Sequence, residues 1–103
     1  MRNLDGVPLK VNLFGKDYDV VFDTQYYPNG RIALQLIDAK EGDLFCTLTC
    51  NLPEVHLEDG EILIKNWSEN GDVAKAAFAT GLFGDTGLSV RTGFVEAPIW
   101  RIL

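Results

Sequence analysis

The sequence predicts an α+β fold: a predominantly antiparallel β-sheet of about five to seven strands with one helix packed against it. Three observations carry that prediction. From Val7 to Leu52 apolar and polar residues alternate in short runs separated by turn residues. Between Glu69 and Thr80 the apolar spacing becomes helical. From Phe94 to Ile102 the strand-like alternation returns. A chain of 103 residues forms one domain, residues 1–103, and can bury a core without metal or disulfide staples.

Val7, Leu9, Val11 and Leu13 share one face of a first strand, and Pro8 places its start at an edge. Gly15-Lys16-Asp17 reads as a tight hairpin turn. A second strand, Tyr18 to Tyr27, puts Tyr18, Val20, Phe22, Thr24 and Tyr26 on one side. Pro28-Asn29-Gly30 is the strongest turn signal, because proline presets φ and Asn-Gly accepts positive φ. Arg31 to Asp38 is a third strand, carrying Ile32, Leu34 and Leu36 on one face. After a polar loop, Leu44, Cys46, Leu48, Cys50 and Leu52 alternate strictly and read as one strand with one apolar face. Ile62-Leu63-Ile64 is a short fifth strand, so the strands up to this point form a meander.

Asn66 and Ser68 are N-cap types for a helix from about Glu69 to Thr80. Val73, Ala76, Ala77 and Thr80 fall on one face of it, and Gly81 stands where a C-cap glycine belongs. Gly81, Gly84 and Gly87 read as turns between strands. The spacing lacks the Gly-Lys-Ser/Thr ending of a phosphate loop. Leu88-Ser89-Val90 reads as a short strand. Pro98 inside the last one implies an edge position or a bulge.

The formal net charge is −6, and the isoelectric point is about 4.5. Such a chain is not expected to bind duplex DNA or anionic membrane directly, since both require basic patches. No apolar run reaches membrane-span length, and the first residues lack an apolar signal core, so a cytoplasmic location is expected. Glu41, Asp43, Glu54, Glu58, Asp59 and Glu61 lie in a segment, Glu41 to Ile64, without a single Lys or Arg. An acidic sector of this kind attracts basic protein surfaces.

Candidate chemistry is sparse. Cys46 and Cys50 would stand roughly 13 Å apart along a strand, beyond disulfide reach, and are expected as buried free thiols. A metal site would need more ligands than His56 supplies. His56 sits among acids in a predicted loop, and no nucleophile motif accompanies it. No catalytic residue, metal or cofactor is therefore expected, and the protein is expected not to be an enzyme. The residues expected to meet a partner are Glu54, Glu58, Asp59 and Glu61 in the acidic loop, Trp67 at the strand-to-helix junction, and Tyr26 and Tyr27. The two tyrosines put one ring on each face of a sheet. Exposed Tyr and Trp are common binding anchors, and packing roles for the same rings stay open, as does a purely solubilising role for the acids.

Leu13-Phe14-Gly15-Lys16-Asp17-Tyr18, Tyr27-Pro28-Asn29-Gly30-Arg31-Ile32-Ala33-Leu34-Gln35-Leu36, Asn51-Leu52-Pro53, Ile64-Lys65-Asn66-Trp67-Ser68-Glu69-Asn70 and Thr92-Gly93-Phe94-Val95-Glu96-Ala97-Pro98 together resemble a family of small uncharacterised proteins. That family is carried by phages, plasmids and conjugative elements of bacteria. The likeness runs from Val11 onward and departs from the family pattern at Cys46 and Cys50. It contains no catalytic signature. The resemblance implies an anti-defence role, because many anti-CRISPR proteins share this size, this charge and the lack of enzyme motifs. Such a protein would bind a host CRISPR effector stoichiometrically and block its basic DNA-binding surface. The alternative is a protein-interaction module of phage or plasmid maintenance without a defence target.

Overall fold

The computed structural model of the chain describes residues 2–103. Seven antiparallel strands form two sheets, with one helix. β1 (Pro8–Leu13), β2 (Lys16–Tyr26), β3 (Ile32–Asp38) and β4 (Leu44–Thr47) form a four-stranded meander in sequence order. β5 (Glu61–Leu63), β6 (Phe83–Thr92) and β7 (Val95–Ile102) form the second sheet, in the order β5-β7-β6. The helix α1 spans Asn70–Phe78. The fold class matches the α+β expectation. The division into two sheets does not: the meander stops after β4, and β5 pairs with β7 instead.

The alternation of β1, β2 and β3 is expressed as expected. Val11, Val20, Phe22, Leu34 and Leu36 are buried in one cluster. Leu13 pairs with Lys16, so the first turn is Phe14-Gly15, one residue earlier than the sequence implies. Phe14 (φ 53°) and Gly15 (φ 77°) both have positive φ, as a two-residue type I′ hairpin requires. Phenylalanine is a poor choice there, since its Cβ strains the left-handed region and its ring is exposed. Phe14→Asn is therefore expected to stabilise the protein by about 1 kcal/mol; a lower midpoint in urea would contradict this. At the second turn, Gly30 (φ 84°) supplies the left-handed residue that closes the Pro-Asn-Gly loop.

The segment Leu44–Leu52 departs furthest from expectation. The β3–β4 register shifts between Leu36 and Ile37, and Leu44 is 59% exposed. Beyond β4 the chain crosses between the sheets. The Leu48 amide donates to Leu34 O on β3, Cys50 N donates to Leu63 O, and Thr49 bridges to Ile64. Leu44, Cys46, Leu48, Cys50 and Leu52 therefore do not share one face. Cys46 packs on the cluster between the sheets, whereas Cys50 and Leu52 pack on a second cluster around Leu63, Ala97 and Ile99.

Both thiols are free and half-buried rather than fully buried. Burial pushes Cys50 up from its ordinary pKa and Cys46 up to about 11, against the weaker pull of Lys65. Cys46 thus favours folding in its protonated form. That contribution holds below its unfolded value near 9.0 and is lost as pH rises through about 11. At neutral pH, alkylation is expected to be slow, to reach Cys50 before Cys46, and to accelerate with pH at both. Fast, equal labelling at neutral pH would contradict that order.

α1 begins at Asn70 after Glu69, whose side chain makes no capping bond. Asn66 and Ser68 do not cap it. Ser68 takes positive φ (55°), and the Asn70 side chain donates to Thr47 O on β4. Val73, Ala74 and Ala77 are buried, against β1 and the Phe83–Trp100–Ile102 face of the second sheet. Gly84 and Gly87 do not form turns between strands. They lie inside β6, where the pairing with β7 breaks between Asp85 and Ser89 and Gly87 (φ 80°) supplies the left-handed step. Pro98 sits opposite Ser89 at the edge of this bulge, in a central strand.

Candidate interaction surface

The residues between Pro53 and Gly60 form an irregular loop at the Tyr26–Ile32 end of the first sheet. A loop this polar holds its course only where something fixes its backbone. Arg31, delivered by the Pro-Asn-Gly turn, does so. Its guanidinium donates to Leu52 O at 2.9 Å and to Val55 O. The Asn29 amide donates to Asn51 Oδ1 at 3.2 Å. The Tyr27 hydroxyl lies 3.2 Å from Thr49 O and 3.1 Å from Thr49 Oγ1.

This end of the molecule carries a groove of about 430 Å³, lined by Tyr26, Arg31, Ile32, Leu57, Glu58 and Asp59 among others. Tyr26 is 64% exposed. Glu58 and Asp59 are exposed, and the His56 Nε2 lies 3.0 Å from Glu58 Oε1 at the surface. Glu61 also borders the groove, but its side chain is only 9% exposed. It accepts from Arg101 at 3.1 Å and from the Glu58 amide at 2.8 Å. Glu61 is therefore a structural carboxylate rather than a free surface charge.

The structure thus brings Tyr26, Glu58, Asp59 and Glu61 together and leaves the other expected contact residues elsewhere. Glu54 is exposed on the neighbouring turn and does not line the groove. Tyr27 is half-buried and held by Thr49. Trp67 is half-buried against the cluster of Leu63, Ala97 and Ile99. Tyr27 and Trp67 are packing residues here.

The acidic sector is also divided. Tyr26 pairs with Ile32 and Val20 with Asp38, so the β3–β4 turn bearing Glu41 and Asp43 lies roughly 20 Å from the groove, six strand residues away. At that far end Lys16, Asp17, Asp19, Lys40 and Glu41 mix both signs around a shallow cleft. Asp38 anchors the turn there. Its Oδ1 accepts from the amides of Glu41 and Lys40, and these bonds hold its carboxyl below the usual range.

Arg31 and Arg101 are the cations that sequence reading missed. The acidic segment has none of its own; Arg31 arrives from the Pro-Asn-Gly turn and Arg101 from β7. Arg101 stands between inward-facing Trp100 and Ile102, so its outward position was legible, but its pairing with Glu61 depends on the β5–β7 register. Among the described residues no cluster of His, Cys, Asp or Glu has metal-ligand geometry, and no helix is long and apolar enough to cross a membrane.

Comparison of the chain with protein-family models, with curated proteins and with solved structures gives no significant match.

Proposed function

We propose that the protein is a non-enzymatic inhibitor of host defence encoded by a mobile genetic element. It would act in the bacterial cytoplasm by binding a CRISPR effector stoichiometrically and covering part of its basic DNA-binding surface. The observation that carries the reading is the groove where the exposed ring of Tyr26 stands beside Glu58 and Asp59. The two neighbouring arginines are already engaged, Arg31 by backbone carbonyls and Arg101 by Glu61. Exposed negative charge beside an exposed aromatic suits an Arg- or Lys-bearing surface. The net charge of −6 and the resemblance to proteins of mobile elements support the same partner class.

The test has two arms. Expression of the gene in a CRISPR-protected host is expected to restore plating of the targeted phage. Glu54→Gln, Glu58→Gln and Asp59→Asn together are expected to leave Tm nearly unchanged, since these side chains are exposed. They should slow association with the effector and flatten its salt dependence. Glu61 is excluded from the set because its neutralisation would break the Arg101 contact. Unrestored plating removes the defence target and leaves an interaction module of phage or plasmid maintenance. Association kinetics unaltered by the triple change, at low and high salt, remove the acidic groove as the contact.

A further inference from the structure

A second surface stands apart from the acidic groove. β6 and β7 form a hairpin whose two-residue tip is Gly93-Phe94. Phe94 is 100% exposed, and Leu88 on the same hairpin is 61% exposed. Neither ring nor branch contributes to either core cluster. At the other end of the hairpin, α1 and the sheet enclose an open groove of about 400 Å³, lined by Gly71, Ala74, Lys75, Phe78, Asp85 and Trp100 among others. Its wall is the Phe78–Trp100 pair, with ring centroids 5.0 Å apart. One end of this hairpin is an apolar knob, and the other is an apolar socket floored by small residues.

The charges beside each end are complementary. Arg91 pairs across the strands with Glu96, next to the tip, and Asp85 with Trp100, at the socket. Alternation along β7 puts Glu96 and Trp100 on one face, so all four residues share that face. The tip contributes one cation and one anion, and the socket contributes Lys75 and Asp85. Among the described residues none of these four charged side chains forms an ion pair within the chain.

We infer that a second copy of this chain docks here, the Phe94 tip of each copy entering the Phe78–Trp100 socket of the other. Tip and socket lie roughly 20 Å apart along β7, six residues. A two-fold axis midway between them brings both contacts together at once, with the two hairpins antiparallel. Such an interface is self-complementary and closed. Glu96 of one copy then meets Lys75 of the other, and Arg91 meets Asp85. The inference is independent of the defence reading, because it involves neither the acidic groove nor a host protein.

Sedimentation equilibrium of the purified chain over a roughly hundredfold concentration range tests it. The wild type is expected to show a reversible monomer–dimer equilibrium. Phe94→Ser is expected to weaken the dimer by about tenfold or more while leaving Tm unchanged at concentrations where the chain is monomeric, since the ring packs on nothing within its own chain. Glu96→Lys and Lys75→Glu should each weaken it, and the double variant should recover affinity. A wild type that stays monomeric throughout overturns the inference, and so does a dimer indifferent to Phe94→Ser. Single charge reversals that weaken the dimer without recovery in the double variant overturn the assigned docking geometry.

Discussion

Leu34→Ala is expected to destabilise the protein by about 3–4 kcal/mol and to lower Tm by about 12 °C or more. Leu34 is completely buried, in the centre of β3, inside the cluster that the first sheet shares with α1 and the second sheet. Truncation removes the burial of its branched carbons and leaves a void that the surrounding cluster closes only in part. Against a total of about 5–15 kcal/mol for a domain of this kind, the loss is a large fraction. Leu44→Ala is the matched control. Leu44 would belong to the core if the strand beginning there kept a single apolar face, but it is exposed, and the change is expected to cost about 0.5 kcal/mol or less. Urea unfolding of the two variants checks both values. Equal losses would mean that Leu44 is buried and that the β3–β4 register shift is wrong.

Thr49→Val is expected to cost about 2 kcal/mol, although the side chain keeps nearly the same shape. Thr49 is the one buried polar residue among the described residues, at 2% exposure. β4 ends at Thr47, and the Leu34 amide next along β3 lacks a strand partner there. Thr49 Oγ1 accepts its hydrogen bond at 3.2 Å and also lies beside the Tyr27 hydroxyl. A side chain thus replaces the missing rung of the ladder, and valine leaves a buried N–H unpaired. Tyr27→Phe removes the hydroxyl's contacts with Thr49 O and Oγ1 but leaves the bond from the Leu34 amide, and is expected to cost about 1 kcal/mol. Amide exchange at Leu34 should accelerate in Thr49→Val and change little in Tyr27→Phe. An unaltered Leu34 amide in the first variant would show that the hydroxyl is not its acceptor.

These two sites also mark where the sequence is legible and where it is not. The faces of β1, β2 and β3 were readable because a period of two suffices to assign Val11, Val20, Phe22, Leu34 and Leu36 to one side. The small face of α1 was readable only in part: Val73 and Ala77 are buried as the helical spacing implies, but Ala74 completes the face, Ala76 is half-buried, and Thr80 lies past the helix end. The path from Leu44 to Leu52 was not. Strict alternation looks the same whether a strand stays in one sheet or passes from one to another, and the crossing at Leu48–Cys50 is decided by pairing with residues more than a dozen positions away. Glu61 failed similarly. Its neighbours mark it as one more loop acid, and only the β5–β7 register brings Arg101 to it. Gly84 and Gly87 carry turn chemistry, which a bulge within a strand uses as readily as a loop does. At the candidate surface, the exposure of a ring from the Tyr26–Tyr27 pair was foreseen without saying which, while the anchoring of the loop by Arg31 depended on tertiary contact alone.

The placement of β7 has a consequence for how the chain is made. It is the central strand of its sheet, with Trp100 and Ile102 facing one apolar cluster and Ala97 and Ile99 facing the other. A ribosome delivers residues in order, at about 5–20 per second. The meander of β1 to β4 can pair early, since its contacts are local. The first cluster lacks Trp100 and Ile102, and the second lacks Ala97 and Ile99, until β7 has left the exit tunnel. Until then the nascent chain exposes both apolar surfaces and an unfilled gap between β5 and β6, the state in which a chaperone or another unfinished chain binds most readily.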